Sequence, residues 1–179
     1  PLLEKLAPVS RNLVVLADHV EGEALSMLVM NRVKGNLNCF AVQAPAFDER
    51  RRGILEDVAI LTGGILLSEA TGRGLKSATV ADLGRCRRAT ATKDTTTFVD
   101  GMGDPVAIQE RITTIRAQAA DIALPDYDRR ILRERAAKLE GGISIVKVGA
   151  ATELELKERK QRVEYALNAT RWAMEEGVV

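Results

Sequence analysis

The chain has 179 residues and is 46% hydrophobic, enough to bury a core in one domain with room for a small appendage. Its 26 basic and 25 acidic side chains leave a formal net charge of +1, which gives no long-range pull toward nucleic acid or an anionic membrane. Two cysteines, Cys39 and Cys86, with one histidine, His19, exclude a disulfide framework and a Cys/His zinc site, and the 3% aromatic content disfavours a surface that stacks bases or sugars.

The chain opens at Pro1 without a methionine, inside the apolar-periodic run Pro1-Leu2-Leu3-Glu4-Lys5-Leu6, and closes on Gly177-Val178-Val179. The expectation is a piece of a larger protein. No run approaches the ~20 apolar residues of a membrane span, and no signal-peptide succession occurs, so the cytoplasm is the expected compartment. Leu13–Ala17 and Cys39–Val42 have the length and branched content of buried strands, and each precedes a helical segment. Such βα alternation predicts an α/β fold. The first of these helices is predicted from about Glu21 to Val33, stopping at Gly35, and the second from about Glu49 to Leu61, stopping at Gly63-Gly64. Ile65–Leu67 reads as a third strand. Cys86–Thr92 and Thr95–Val99 flank Lys93-Asp94 as an antiparallel hairpin.

Beyond it the pattern turns helical. Asp104-Pro105 is a start signal for a helix with the stripe Ile108, Ile112, Ile115, Ala119 and Ile122. Pro125-Asp126 starts another, with Tyr127, Ile131, Leu132, Ala136 and Leu139. The two are expected to pair as an antiparallel hairpin lying on the sheet. Gly141-Gly142 reads as a hinge, followed by a strand over Ile143–Val148 and a helix from about Thr152 to Glu176. Thr152 and Glu155 have capping-box spacing, and at ~1.5 Å per residue the helix would reach roughly 37 Å. Its narrow stripe of Leu156, Val163, Leu167, Thr170 and Met174 suits a brace better than a core element. A boundary at residue 142 therefore separates a first domain from an incompletely represented second one.

The Glu21–Val33 helix is the most informative element. Its apolar residues cover most of the circumference, whereas docking on a sheet needs a stripe of only about 100°. One interpretation buries it all round. The other leaves an exposed aliphatic ridge for other proteins, with Ala24 and Leu28 on one side, Leu25, Val29 and Val33 on another, and two methionines suited to varied partners. The run ending in Leu2, Leu3 and Leu6 would supply a parallel wall. Gly72-Arg73-Gly74 and Gly101-Met102-Gly103 lack the spacing of a phosphate cradle and read as turns. Arg50-Arg51-Arg52 and Arg87-Arg88, amid Asp48, Glu49, Glu56 and Asp57, read as solvated or salt-bridged faces. No serine has a nucleophile-elbow context, and the cysteines read as packing residues, so the residues favour a binding module over an enzyme.

Several segments carry a family resemblance. ADHVEGEALSMLVMNRV at Ala17–Val33, KDTTTFVDG at Lys93–Gly101, DYDRRILRERAAKLEGG at Asp126–Gly142 and IVKVGAATELELKERKQRVEYALNATRWAMEEGVV to the end resemble the GroEL-type (group I) chaperonins, in that family's order. The similarity covers essentially the whole chain, and the stretch from Gly141 to Glu153 is its most specific part. The resemblance implies that residues 1–141 are most of the apical domain, that residues 142–179 are the returning half of the intermediate domain, and that the equatorial domain with its nucleotide pocket is absent.

The resemblance also implies a function. The groove between the two helices would take up non-native polypeptides and the mobile loop of a lid co-chaperonin, with Leu3, Leu25, Val29, Met30 and Asn31 at the matching positions. Glu153 falls at a glutamate that bridges to a neighbouring subunit in rings of the full-length protein. ATP and magnesium are implied for the parent protein, with no cofactor or metal in this chain itself. One departure bears on hydrolysis: Tyr165 stands where the family carries a catalytic aspartate, and a phenol is no resident anion at neutral pH. Trp172 and His19 also depart from the family pattern. A diverged chaperonin-like scaffold with impaired ATP hydrolysis and a dedicated protein partner is the alternative. Single-turnover hydrolysis by the full-length protein and its Tyr165→Asp variant separates the two readings.

Overall fold

The structure, a computed structural model, describes residues 2–69, 72–141 and 146–177. The chain divides into two compact units, Pro1–Gly142 and Ile143–Val179. The first begins with a short helix α1 (Leu2–Leu6), then strand β1 (Asn12–Ala17), helix α2 (Gly22–Val33), strand β2 (Asn38–Gln43) and helix α3 (Asp48–Thr62). β1 and β2 pair in parallel, Asn12 opposite Asn38 and Ala17 opposite Gln43. Parallel pairing requires a crossover, which α2 supplies. Its inner face sets Leu28 against Leu37 and Cys39, and Leu3, Leu13, Val15 and Val20 close around that cluster.

α3 ends in a Schellman cap. Gly63 adopts the left-handed conformation (φ 74°), its N–H donating to the Ile60 carbonyl, while the Gly64 N–H donates to the Ala59 carbonyl at 2.9 Å. The backbone then runs directly alongside a 3₁₀ turn at Val80–Asp82 and donates from the Ile65 N–H to the Asp82 carbonyl at 3.0 Å. That contact replaces the strand expected at Ile65–Leu67, which forms no strand. Three apolar residues behind a glycine pair satisfy strand composition, but a ladder needs a neighbouring strand, and here a turn occupies that side.

The hairpin is as expected: β3 (Cys86–Ala91) and β4 (Thr96–Gly101) pair antiparallel, with the Thr92 N–H donating to the Thr95 carbonyl at 2.8 Å across Lys93-Asp94. Helices α4 (Pro105–Ala119) and α5 (Asp126–Glu140) follow. The Asp104 side chain caps α4 by accepting from the Val106 N–H, satisfying one of the first-turn donors. α4 and α5 pack on one another, with Ile112, Ile115, Ala119 and Ala136 buried. Their other main contact is α3, not the sheet on which they were expected to lie.

An ionic knot explains the choice. Asp57 of α3 is only 7% exposed and accepts from Arg111 of α4 and Arg135 of α5. Two stripe residues also depart from expectation. Ile122 lies beyond the end of α4 and is 85% exposed. Tyr127, also exposed, stacks with Arg50 and Arg130, whose guanidinium carbons lie 5.0 and 5.5 Å from its ring centre.

The second unit is dominated by helix α6 (Glu153–Glu176), whose 24 residues span roughly 36 Å. Thr152 caps it by accepting from the Glu155 N–H at 3.2 Å, and the Glu155 carboxylate reaches back to the Ala151 N–H at 3.3 Å, one residue short of the reciprocal capping-box bond. Of the strand expected over Ile143–Val148, Ile143–Ile145 lie outside the described residues and Val146–Val148 form no strand. The stripe residues Leu156, Leu167 and Met174 are exposed.

Candidate functional site

α2 follows a parallel strand and carries far more apolar surface than its sheet contact can use. Leu28 is its buried residue; Leu25 is 42% exposed, Val29 51% and Met30 54%, with Met27 and Val33 exposed as well. The reading that buries this helix all round is thereby overturned in favour of the exposed aliphatic ridge. A sheet of two strands is too narrow to cover more than one face of the crossover helix.

α1 forms the second wall. Leu6 is buried, and the Lys5 ammonium donates to the Ala78 carbonyl at 3.3 Å, which ties α1 to the neighbouring 3₁₀ region. Between α1 and α2 lies a cleft of about 450 Å³, walled by Leu3, Ala7, Met27 and Leu37. Asn31 and Arg11 add polar lining. The Asn31 side chain is held from within: its Nδ2 donates to the Met27 carbonyl at 2.8 Å and its Oδ1 accepts from Asn36 Nδ2 at 3.3 Å. A smaller concavity of about 210 Å³ opens where Leu25 meets Val20, His19 and Gln43. His19 Nδ1 lies 3.4 Å from Gln43 Nε2 there.

The five candidate residues therefore divide. Leu3 and Asn31 share the cleft, Leu25 borders the smaller concavity, and Val29 and Met30 stand on the exposed ridge of α2. Met27, one of the two methionines expected on the ridge, lines the cleft, while Ala7, Arg11 and Leu37 belong to it and were not singled out in sequence. The spacing of Met27 and Asn31, one helical turn apart, is the signal that links them.

The remaining motifs resolve simply. Gly101 and Gly103 lie against the end of α3, where the Gly103 N–H donates to the Leu61 carbonyl at 3.0 Å and a side chain at either glycine would strike that backbone. They are packing glycines. Arg50, Arg51 and Arg52 pair with Asp128, Asp18 and Glu56 at 2.6, 3.2 and 3.0 Å, the salt-bridged face expected of them. Glu153 pairs with Lys157 on its own helix at 3.4 Å and is otherwise open to solvent. The Tyr165 hydroxyl accepts from Gln161 Nε2 at 2.7 Å on an exposed face of α6. Cys39 is buried, and burial pushes the Cys86 thiol above the ordinary range, partly offset by the Arg88 backbone N–H.

The exposed aliphatic residues of α2 and the apolar walls of the neighbouring cleft together offer apolar surface for burial. The model of the TCP-1/cpn60 chaperonin family matches residues 1–179, the whole chain. The chain belongs to this family. A chaperone-type function follows for the chaperonin in general terms, with polypeptide binding and ring assembly as the family's broad properties. In this chaperonin chain the apolar surface of α2 is aliphatic and thioether in character, matching the low aromatic content.

Proposed function

We propose that residues 1–141 are apical and residues 142–179 intermediate-domain segments of a group I, GroEL-type chaperonin acting in the cytoplasm. In this reading α1 and α2 capture aliphatic segments of non-native polypeptides and the mobile loop of a lid co-chaperonin. The observation that carries it is the ridge of Leu25, Val29 and Met30 beside the Leu3–Met27 cleft, all on one helix and its neighbour. Burial of apolar area contributes about 25 cal/mol per Å² before ordering costs, so a single shallow site binds weakly. Repetition around a ring would multiply that affinity through effective concentration.

Leu25→Glu or Val29→Glu is expected to abolish capture of a denatured protein while the circular dichroism spectrum stays native, because both side chains already face solvent. Met27→Glu should do the same from the cleft side. Undiminished capture by these variants refutes the assignment.

ATP and magnesium belong to the proposal for the parent protein only. Among the described residues no group of three or more His, Cys, Asp or Glu could hold a metal, and Tyr165 offers a phenol where the family position calls for a carboxylate. These residues do not fit the cofactor. Tyr165 is the observation that favours the second reading, a diverged interaction scaffold with a dedicated partner. Glu153, exposed at the start of α6, remains the proposed subunit bridge.

A further inference from the structure

Two opposite charges, Glu4 and Arg11, line the cleft between α1 and α2. Arg11 lines the cleft beside Leu3, Ala7, Met27 and Leu37. Its backbone is fixed, the carbonyl accepting from the Asn38 N–H at 2.7 Å where β1 begins. Its side chain is exposed and, among the described residues, has neither a hydrogen-bond nor an ion-pair partner. The other polar groups of the lining are engaged. Asn31 bonds to the Met27 carbonyl and to Asn36, and Glu4 has an interaction of its own.

A guanidinium stays charged, and its planar fork of N–H donors matches the two oxygens of a carboxylate. An apolar segment laid along these walls brings its flanking side chains to Arg11. A carboxylate there gains a charge-assisted contact; an amide gains less, and a cation is repelled. We propose that the cleft selects aliphatic segments that carry an acidic residue beside their apolar ones, with Arg11 binding that carboxylate. The proposal rests on the cleft being the polypeptide site.

The test uses the 179-residue chain and two fluorescently labelled synthetic dodecapeptides of Leu, Ala and Ser that differ only in one Glu or Gln, read by anisotropy. The Glu peptide is expected to bind about two- to fivefold tighter at low salt, the range of an exposed ion pair. That preference should vanish in ~1 M salt, where screening acts within about 3 Å. It should also vanish in Arg11→Gln and invert in Arg11→Glu, both at an exposed site that leaves the fold intact.

Equal binding of the two peptides by the wild type, with Met27→Glu weakening both, overturns the role of Arg11 and leaves the cleft standing. Binding of both peptides that Met27→Glu leaves unchanged, or no binding of either, overturns the cleft reading and Arg11 with it. A concentration-dependent dimer that Arg11→Gln disperses assigns the guanidinium to a second copy, and overturns the proposal as well.

Discussion

Asp57 offers the sharpest test of how the first unit is held together. Its Oδ1 accepts from Arg111 Nε at 2.8 Å and from Arg135 Nη2 at 3.0 Å, and its Oδ2 accepts from Arg135 Nε at 2.7 Å. The Arg111 and Arg135 side chains are themselves only 20% and 13% exposed. Asp57→Ala therefore strands two largely buried cations. Loss of one partner from a buried pair costs about 3–5 kcal/mol. The lower end applies here, because Arg111 keeps Glu56 at 3.0 Å and Arg135 keeps the Gly53 carbonyl at 3.0 Å. For a unit of this size about 2–4 °C is lost per kcal/mol, so a cost of ~3 kcal/mol lowers the melting temperature by roughly 6–12 °C. The assay is thermal unfolding followed by circular dichroism, for Asp57→Ala, Arg135→Ala and the double variant. Strong coupling is expected, the double variant falling well short of the summed singles. Replacing the whole triad by Leu, Met and Met should recover most of the loss, since well-packed apolar side chains escape the desolvation penalty. A drop below ~2 °C for Asp57→Ala, or additive single variants, would refute the claim that this knot docks α4 and α5 on α3.

Two further outcomes follow from local geometry. Gly63→Ala should cost about 2 kcal/mol or more in chemical denaturation, and Gly35→Ala about 1 kcal/mol. Both glycines have positive φ, but only at Gly63 would a Cβ meet backbone, the Met102 carbonyl at 2.9 Å. Equal losses would contradict that distinction. For the cysteines, burial holds the Cys86 thiol above its ordinary value, so its contribution to stability is full below the unfolded thiol's pKa and is lost as pH rises through the folded one. At pH 8 Cys86 should alkylate more slowly than a free cysteine, and the buried Cys39 more slowly still; mass spectrometry of the native protein reads both, and rapid labelling of Cys39 would contradict its packing against Leu28.

Much of the site was legible because α2 is locally over-determined. Its apolar residues exceed what one docking face needs, and that surplus is visible without coordinates. Which residues make the cleft was not legible, since Ala7, Arg11 and Leu37 come from other segments that only folding brings to Met27 and Asn31. Asp57 was hidden among charged neighbours and read as part of a solvated or salt-bridged face, with no sign of its burial. The available signal lay elsewhere in the chain: Arg111 stands three residues after Ile108 and four before Ile115, and Arg135 falls among Ile131, Leu132, Ala136 and Leu139. A cation inside each apolar stripe asks for a buried anion.

By itself the sequence determined the first two strands, the hairpin and the long helices with their caps, since periodicity, turn residues and capping side chains act within a few residues of one another. Only the tertiary structure decided what those elements pack against. The helical pair chose α3 over the sheet because a buried carboxylate must be paired. Ile65–Leu67 became no strand because a 3₁₀ turn took its backbone. The aliphatic ridge of α2 stayed exposed because a two-stranded sheet covers only one face of the helix.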